Sequence, residues 1–393
     1  MSFGDAYSPT APILPCDPVV TMQSSLYPST LSESYTAAPA GARQPADAAD
    51  IAACRAMLHE GSLTFFAASL LLPRSVREPA SALYAFCRLA DDVVDLGDDQ
   101  DGAVEGLRRR LALAYAGQPL PVAADRALAA VVARYDIPIA LPEALLEGFQ
   151  WDAEGRRYET LEDLHGYAAR VAAAVGAMMA LLMGVRSADG LARACDLGVA
   201  MQLSNIARDV GEDARMGRIY LPLQWLREAG IDPEAFLADP VFSPALGTVV
   251  RRLLDAAEAL YARVDSGVAL LPASCRPGIN AARFLYAEIG HEVARNGCNS
   301  VDQRAVVPAT RKAWLLTRSM IEVNPAVAHP PPAPLEATRY LVDAAAASAS
   351  ARPLGAPRRP PSWWRLKDRA IWLIDLFDRL EHRKQSRRQA PAL

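Results

Sequence analysis

The sequence predicts an all-α protein, and three observations carry that expectation. From residue 51 onward apolar residues recur at helical spacing; no β-branched alternation long enough to pair as strands interrupts them; and the breaks between periodic stretches fall at Pro and Gly. Apolar residues make up 51% of the 393-residue chain, enough to fill a large core. The 41 basic and 45 acidic residues leave a net charge of −4, which gives no electrostatic footprint for nucleic acid. No self-similarity at 30 to 45 residues points to a solenoid.

Taken in order, residues 1–48 are rich in Pro, Ser and Ala and read as a disordered leader, with no basic segment followed by an apolar one and hence no secretory signal. Residues 49–325 form the expected helical domain. Its breaks at Pro73, 96–102, 119–121, 138–142, 184–190, 232–244 and 272–278 delimit eight to ten helices. The longest uncharged apolar run, residues 171–185, has 15 residues and contains Gly176 and Gly184, short of the ~20 that span a bilayer, so no transmembrane helix is expected. Residues 326–361 read as an Ala/Pro-rich linker around one weak helix at 335–351. Residues 362–393 open on a plausible N-cap, Ser362, and carry Trp363, Leu366, Ala370, Leu373, Phe377 and Leu380 at helical steps. With eight Lys/Arg against four Asp/Glu, this basic amphipathic helix suits a membrane interface through residues 362–385, and docking on the bundle or on a second subunit suits it equally. The six cysteines show no metal spacing and read as reduced thiols of a cytoplasmic protein.

Two stretches carry chemistry. On a helix, Gln202, Asn205, Asp209, Glu212 and Asp213 fall along one face, and so do Tyr84, Arg88, Asp91 and Asp95, with Asp92 beside them. Bare carboxylates at i and i+4 repel, and one such pair is ordinarily a solvated, ion-paired face. Two clusters of oxygen donors embedded in apolar sequence instead suit hard divalent cations held between two helices. Divalent cations and Arg neutralise a leaving diphosphate, and an apolar pocket protects the carbocation left behind. A small-residue helix, Val171, Ala172, Val175, Gly176 and Met179, suits the wall of such a channel and equally suits bundle packing. No Ser-His-Asp set and no phosphate-cradling glycine loop stands in a suitable context.

At these residues the sequence resembles the squalene/phytoene synthase family of head-to-head prenyl transferases. Tyr84-Ala-Phe-Cys-Arg88-Leu-Ala-Asp91-Asp92-Val-Val-Asp95 looks like the family's first aspartate motif and Asn205-Ile-Ala-Arg208-Asp209-Val-Gly-Glu212-Asp213 like its second. The likeness continues through Tyr167, Val171, Val175 and Gly176, then Arg218-Ile-Tyr220-Leu-Pro, Tyr286 and Arg304, covering about residues 50–320. It implies the isoprenoid synthase bundle with a central cavity, and two or three magnesium (or manganese) ions on Asp91, Asp95, Asn205, Asp209 and Asp213. Arg88, Gln202, Arg208, Arg218, Tyr220 and Arg304 would orient substrate or stabilise the leaving diphosphate, and Tyr84, Tyr167 and Tyr286 would face the cation region. Ser62 and Phe65 align with the family's substrate entry, where Leu63 stands in place of a usual Lys; Val171-Ala-Ala-Ala-Val-Gly176 lacks a usual hydroxyl.

The implied reaction joins two prenyl diphosphates through a cyclopropyl diphosphate. Ser69 aligns with a position that is commonly aromatic in C30-forming relatives, so a small residue there suits two geranylgeranyl diphosphates and the C40 product phytoene. The rival is squalene or dehydrosqualene formation from farnesyl diphosphate; NADPH is not expected. A chain-elongating prenyl transferase would repeat D-D-x-x-D at the second site, which residues 205–213 do not. A non-catalytic membrane-associated relative would be expected to lose its metal ligands. A very apolar product also implies peripheral contact with the inner face of the cell membrane, and other carotenoid enzymes as partners.

Overall fold

The computed structural model describes residues 47–96, 100–322 and 332–349, with the side chains of residues 63 and 91–101 outside that description. Among the described residues every regular element is helical. In order these are α1 (Ala48–Gly61), α2 (Leu63–Ser69), α3 (Arg74–Leu96), α4 (Gln100–Tyr115), α5 (Ala123–Tyr135), α6 (Ala140–Ala153) and α7 (Leu161–Ala168). A π-helical turn (Ala169–Ala173) then leads into α8 (Ala174–Leu182), α9 (Ala188–Arg215), α10 (Leu223–Glu228), α11 (Pro233–Ala238), α12 (Pro244–Val268), α13 (Arg276–Arg295) and α14 (Ala309–Ile321). A 3₁₀ turn (Glu336–Thr338) precedes α15 (Arg339–Ala349). The count exceeds eight to ten because short helices such as α2, α10 and α11 occupy stretches that sequence patterning merges with their breaks.

Local chemistry sets the starts of the long helices. Ser187 accepts a hydrogen bond from Gly190 N at 3.2 Å to begin α9, and Ser243 accepts from Leu246 N at 3.1 Å with Pro244 in the first turn of α12. Thr160 and Asp163 close a reciprocal capping box on α7. α9 is the axis of the bundle, packed along α12 and against α8, α13 and the π turn. Its close approach to the π turn and α8 needs two glycines. A Cβ on Gly176 would stand 2.5 Å from the Ala194 carbonyl oxygen, and one on Gly198 would stand 2.7 Å from the Ala172 carbonyl oxygen and from Ala173 Cα. Gly176 is thus turned toward the α9 backbone, so its smallness serves helix packing rather than a channel wall.

The run that reads as 15 uncharged residues belongs to a longer continuous helix, Leu161–Leu182, long and apolar enough by length and composition to cross a membrane. Here it is a core helix, with more than half of its most apolar 18-residue stretch buried inside the bundle. In the segment expected as an Ala/Pro-rich linker, the described residues 332–349 hold the helix expected at 335–351, but it packs as part of the core. α15 lies on α6, α8 and α9, and its Leu341, Val342 and Ala345 are no more than 2% exposed. Arg193 and Arg263, both paired with the fully buried Asp196, donate to the Ala333 carbonyl just before it. Residues 1–46 of the expected leader and the basic amphipathic helix of residues 362–393 lie outside the described residues, while Asp47 and Ala48 cap and open α1. The five described cysteines are all free thiols.

Candidate active site

The last three turns of α9 bring the predicted stripe into the bundle: Gln202, Asn205, Arg208, Asp209 and Asp213 are half-buried, and Glu212 is exposed. Asp209 is engaged on both oxygens. Arg208 donates Nε to Oδ1 at 2.8 Å and Nη2 to Oδ2 at 2.5 Å, and Arg304 donates Nε to Oδ1 at 2.9 Å. Burial alone would raise the Asp209 carboxyl; the hydrogen bonds and charges of Arg208 and Arg304 outweigh it and hold the group below its usual range. Asp213, one turn on, is pushed up to about 7 by burial and by the charge of Asp209, only partly offset by Arg218. Its ionised form is therefore disfavoured where it stands.

Aromatic rings stand at both ends of this face. Near Asp209, Tyr286 from α13 is buried, with Phe65 from α2 at 5.3 Å between centroids; Phe65 in turn stands 6.4 Å from Tyr84 of α3. The Tyr84 hydroxyl lies so close to Gly61, at the end of α1, that a Cβ there would stand within 2.3 Å of it. Near Asp213, Tyr158, Tyr167 and Tyr220 form a second group, with Tyr167 and Tyr220 stacked at 5.1 Å. Asp152, in the last turn of α6, joins that group to the acidic face. Tyr167 donates to its Oδ2 at 2.8 Å and Tyr220 to its Oδ1 at 2.7 Å, and its charge also presses on Asp213. Burial first, then the Asp152 charge, holds both phenols above their usual range and therefore protonated.

The remaining predicted residues fall around this frame. Ser62 caps α2, its hydroxyl accepting from Phe65 N at 3.3 Å. Ser69 is buried, its hydroxyl donating to the Phe66 carbonyl at 2.7 Å, so it presents a small, internally satisfied surface. Val171 lies in the π turn against Gly148 of α6, and Val175 lies one turn on in α8, both half-buried. The widened π turn re-phases the helix between Tyr167 and α8, a device frequent at functional sites. Arg218, half-buried, follows α9, and Arg88 is exposed on α3. The backbone of Asp91, Asp92 and Asp95 lies on α3, and their side chains are outside the described residues.

Asn205, Asp209 and Asp213 offer two carboxylates and an amide oxygen at steps of four, an all-oxygen donor set suited to a hard divalent cation. Among the described residues no three His, Cys, Asp or Glu side chains gather on their own to hold a metal.

Residues 58–311 match the family model for squalene/phytoene synthase. The chain belongs to the squalene/phytoene synthase family. The phytoene synthase of Rhodobacter capsulatus is 55% identical over 309 residues, covering 76% of this chain and 90% of that protein. The phytoene synthase of Cereibacter sphaeroides is 54% identical over 315 residues, covering 76% and 88%. A dehydrosqualene synthase crystallised with a ligand is 33% identical, with a TM-score of 0.65 over 69% of this chain and 95% of that one. A squalene synthase from Alicyclobacillus acidocaldarius is 25% identical, with a TM-score of 0.60 over 64% and 95%. The squalene/phytoene synthase match takes in every residue of the site from Ser62 to Arg304 and ends before α15.

Sequence reasoning missed Asp152 and Tyr158 in this squalene/phytoene synthase site. One signal was present: Asp152 is an acid at the C-terminal end of an apolar helix with no basic residue in its last turn, where the helix dipole disfavours a negative charge. A charge kept in an unfavourable place has a partner, here two phenols.

Proposed function

We propose that the chain joins two geranylgeranyl diphosphates head to head, through a cyclopropyl diphosphate, to phytoene with release of diphosphate. It is a prenyl transferase. The observation that carries the reading is the α9 face itself, an oxygen-donor stripe with an aromatic group at each end, which suits ionisation of a diphosphate beside a shielded carbocation. The identities of 54–55% to proteins named phytoene synthase support the C40 substrate over the C30 one, as does the small, buried Ser69. The dehydrosqualene synthase is the more distant at 33%.

Asp91, Asp95, Asn205, Asp209 and Asp213 would hold the cations, two or three magnesium or manganese ions, whose charge neutralises the diphosphate as it leaves. Arg208, Arg304, Arg218, Arg88 and Gln202 bind and orient the diphosphate oxygens. Phe65, Tyr84 and Tyr286 present ring faces to the cation formed at the Asp209 end. At the other end Asp152 spreads its negative charge over the phenols of Tyr167 and Tyr220, which fixes both rings and offsets positive charge on the substrate carbons. Ser62, Asp92, Val171 and Val175 contribute to seating the substrate, and Ser69 leaves room for the longer chain. No reductant enters this scheme.

An apolar product of this size is released more readily into a bilayer than into water, so peripheral contact with the inner face of the cell membrane through residues 362–385, alongside other carotenoid enzymes, completes the proposal. The test is product formation from labelled geranylgeranyl diphosphate with magnesium, comparing wild type with Asp209→Asn. The variant is expected to lose about 10²–10³ in turnover, and unchanged phytoene formation would contradict the assignment.

A further inference from the structure

The two arginines on Asp209 are not equivalent. Arg208 sits on α9 itself with its side chain 19% exposed, whereas Arg304 reaches in from the loop between α13 and α14 with its side chain 57% exposed. The base of that loop is fixed to α9: Gly211 N donates to the Ser300 carbonyl at 3.0 Å, and Arg215 Nη2 donates to the Val301 carbonyl at 2.5 Å. Asn299 Oδ1 accepts from Val301 N and Asp302 N at 3.2 and 3.1 Å, which holds the turn. Beyond it the Arg304 side chain crosses to Asp209, with Nε 2.9 Å from Oδ1 and 3.4 Å from Glu212 Oε2. A cavity of about 170 Å³, lined by the carboxylates of Glu212 and Asp302 as well as by Arg208, Arg215 and Arg304, opens beside the pair. The guanidinium head can therefore turn from Asp209 into this cavity while its backbone stays in place.

We propose that Arg304 is a placeholder for the divalent cation on Asp209, its guanidinium pairing with Asp209 and Glu212 in the free protein and passing to a diphosphate oxygen when cation and diphosphate enter together. This deepens the reading of Asp209 as a metal ligand and rests on it. Two positive groups compete for one carboxylate oxygen. A cation binding alone displaces the guanidinium from Asp209 and leaves it only the exposed carboxylates of Glu212 and Asp302, whereas a cation arriving with diphosphate gives it a more highly charged anion. Cation and diphosphate then bind with positive coupling, each raising the affinity for the other by the same factor. Arg304 favours entry of the metal as its diphosphate complex, and Asp209 regains a partner when the product diphosphate leaves.

The experiment is Mn²⁺ binding to the purified full-length protein, followed by the electron paramagnetic resonance of free Mn²⁺, with and without inorganic diphosphate and corrected for the Mn²⁺–diphosphate complex. Without diphosphate, Arg304→Gln is expected to bind Mn²⁺ about two- to five-fold more tightly than wild type, the worth of one half-exposed ion pair, and to lose a similar factor from the enhancement by diphosphate. Arg252→Gln, an exposed cation paired with Glu228 and bonded neither to Asp209 nor to the loop that carries Arg304, is expected to stay within about two-fold of wild type. Mn²⁺ affinity in Arg304→Gln equal to or weaker than wild type would overturn the proposal, and so would an equal gain in Arg252→Gln, which would mark a long-range charge effect. Asp209→Asn separates the two levels: Mn²⁺ binding that survives this substitution unchanged would remove Asp209 as a ligand, the reading on which the placeholder rests.

Discussion

Asp152 takes the hydroxyl hydrogens of Tyr167 and Tyr220 at the same time, at 2.8 and 2.7 Å, and so sets the position of two rings with one carboxylate. Replacing it with Asn leaves one phenol facing an amide that cannot accept twice in the same geometry, a loss of about 1–3 kcal/mol of alignment. Asp152→Asn is expected to lower kcat at least ten-fold with a smaller change in KM, measured by steady-state product formation. Asp213 behaves in the opposite sense. Burial and then the charge of Asp209 raise its carboxyl from 3.8 to about 7, so its favourable contribution to stability is complete below about pH 4 and is lost as pH rises through 7. In chelator-treated protein, Asp213→Asn should therefore raise Tm by several degrees at pH 8.5, on the order of 2–3 kcal/mol, and leave it unchanged near pH 4, as calorimetry would show. In the proposed reading, a bound cation would remove this cost. The stripe around Asp213 was legible in the sequence because its residues share one helix and a fixed period. Asp152 was not, because its partners come from elements 15 and 68 residues away.

At the scale of elements, the long amphipathic helices follow from period, capping residues and Pro, and α9 and α12 appear where those signals place them. α15 was harder to read. Its alanines give a shallow apolar face between proline clusters, and what makes it core is outside its own sequence: the Arg193–Asp196–Arg263 group that grips the Ala333 carbonyl. Removing one member of a buried charge cluster leaves the others uncompensated, so the group holds only while all are present. Leu341→Asp, which puts a charge at a fully buried position of α15, should cost about 3–5 kcal/mol and appear as a large fall in Tm. The π turn was also hidden from sequence, since a single widened turn leaves the helical period of its flanks intact. The crossing of α8 with α9 was foreshadowed only by its glycines, whose role depends on which helix lies opposite.

Over the whole molecule, α9 divides the site into two ends that share one acidic face: Phe65, Tyr84 and Tyr286 beside Asp209, and Tyr158, Tyr167 and Tyr220 beside Asp213 and Asp152. A reaction with two successive ionisations suits a site with two shielded regions along one row of diphosphate-binding groups. If, as proposed, Ser69 borders the alkyl chain, a Phe at this buried position shortens the space for it, and Ser69→Phe is expected to shift preference from C20 toward C15 substrates, read as the ratio of kcat/KM values. The central claim concerns the unaltered protein. Incubated separately with labelled geranylgeranyl and farnesyl diphosphates, with magnesium and with or without NADPH, and followed by chromatography of the hydrocarbons, it is expected to give phytoene from the C20 substrate independently of NADPH; a C30 hydrocarbon from farnesyl diphosphate with no C40 product would contradict the account.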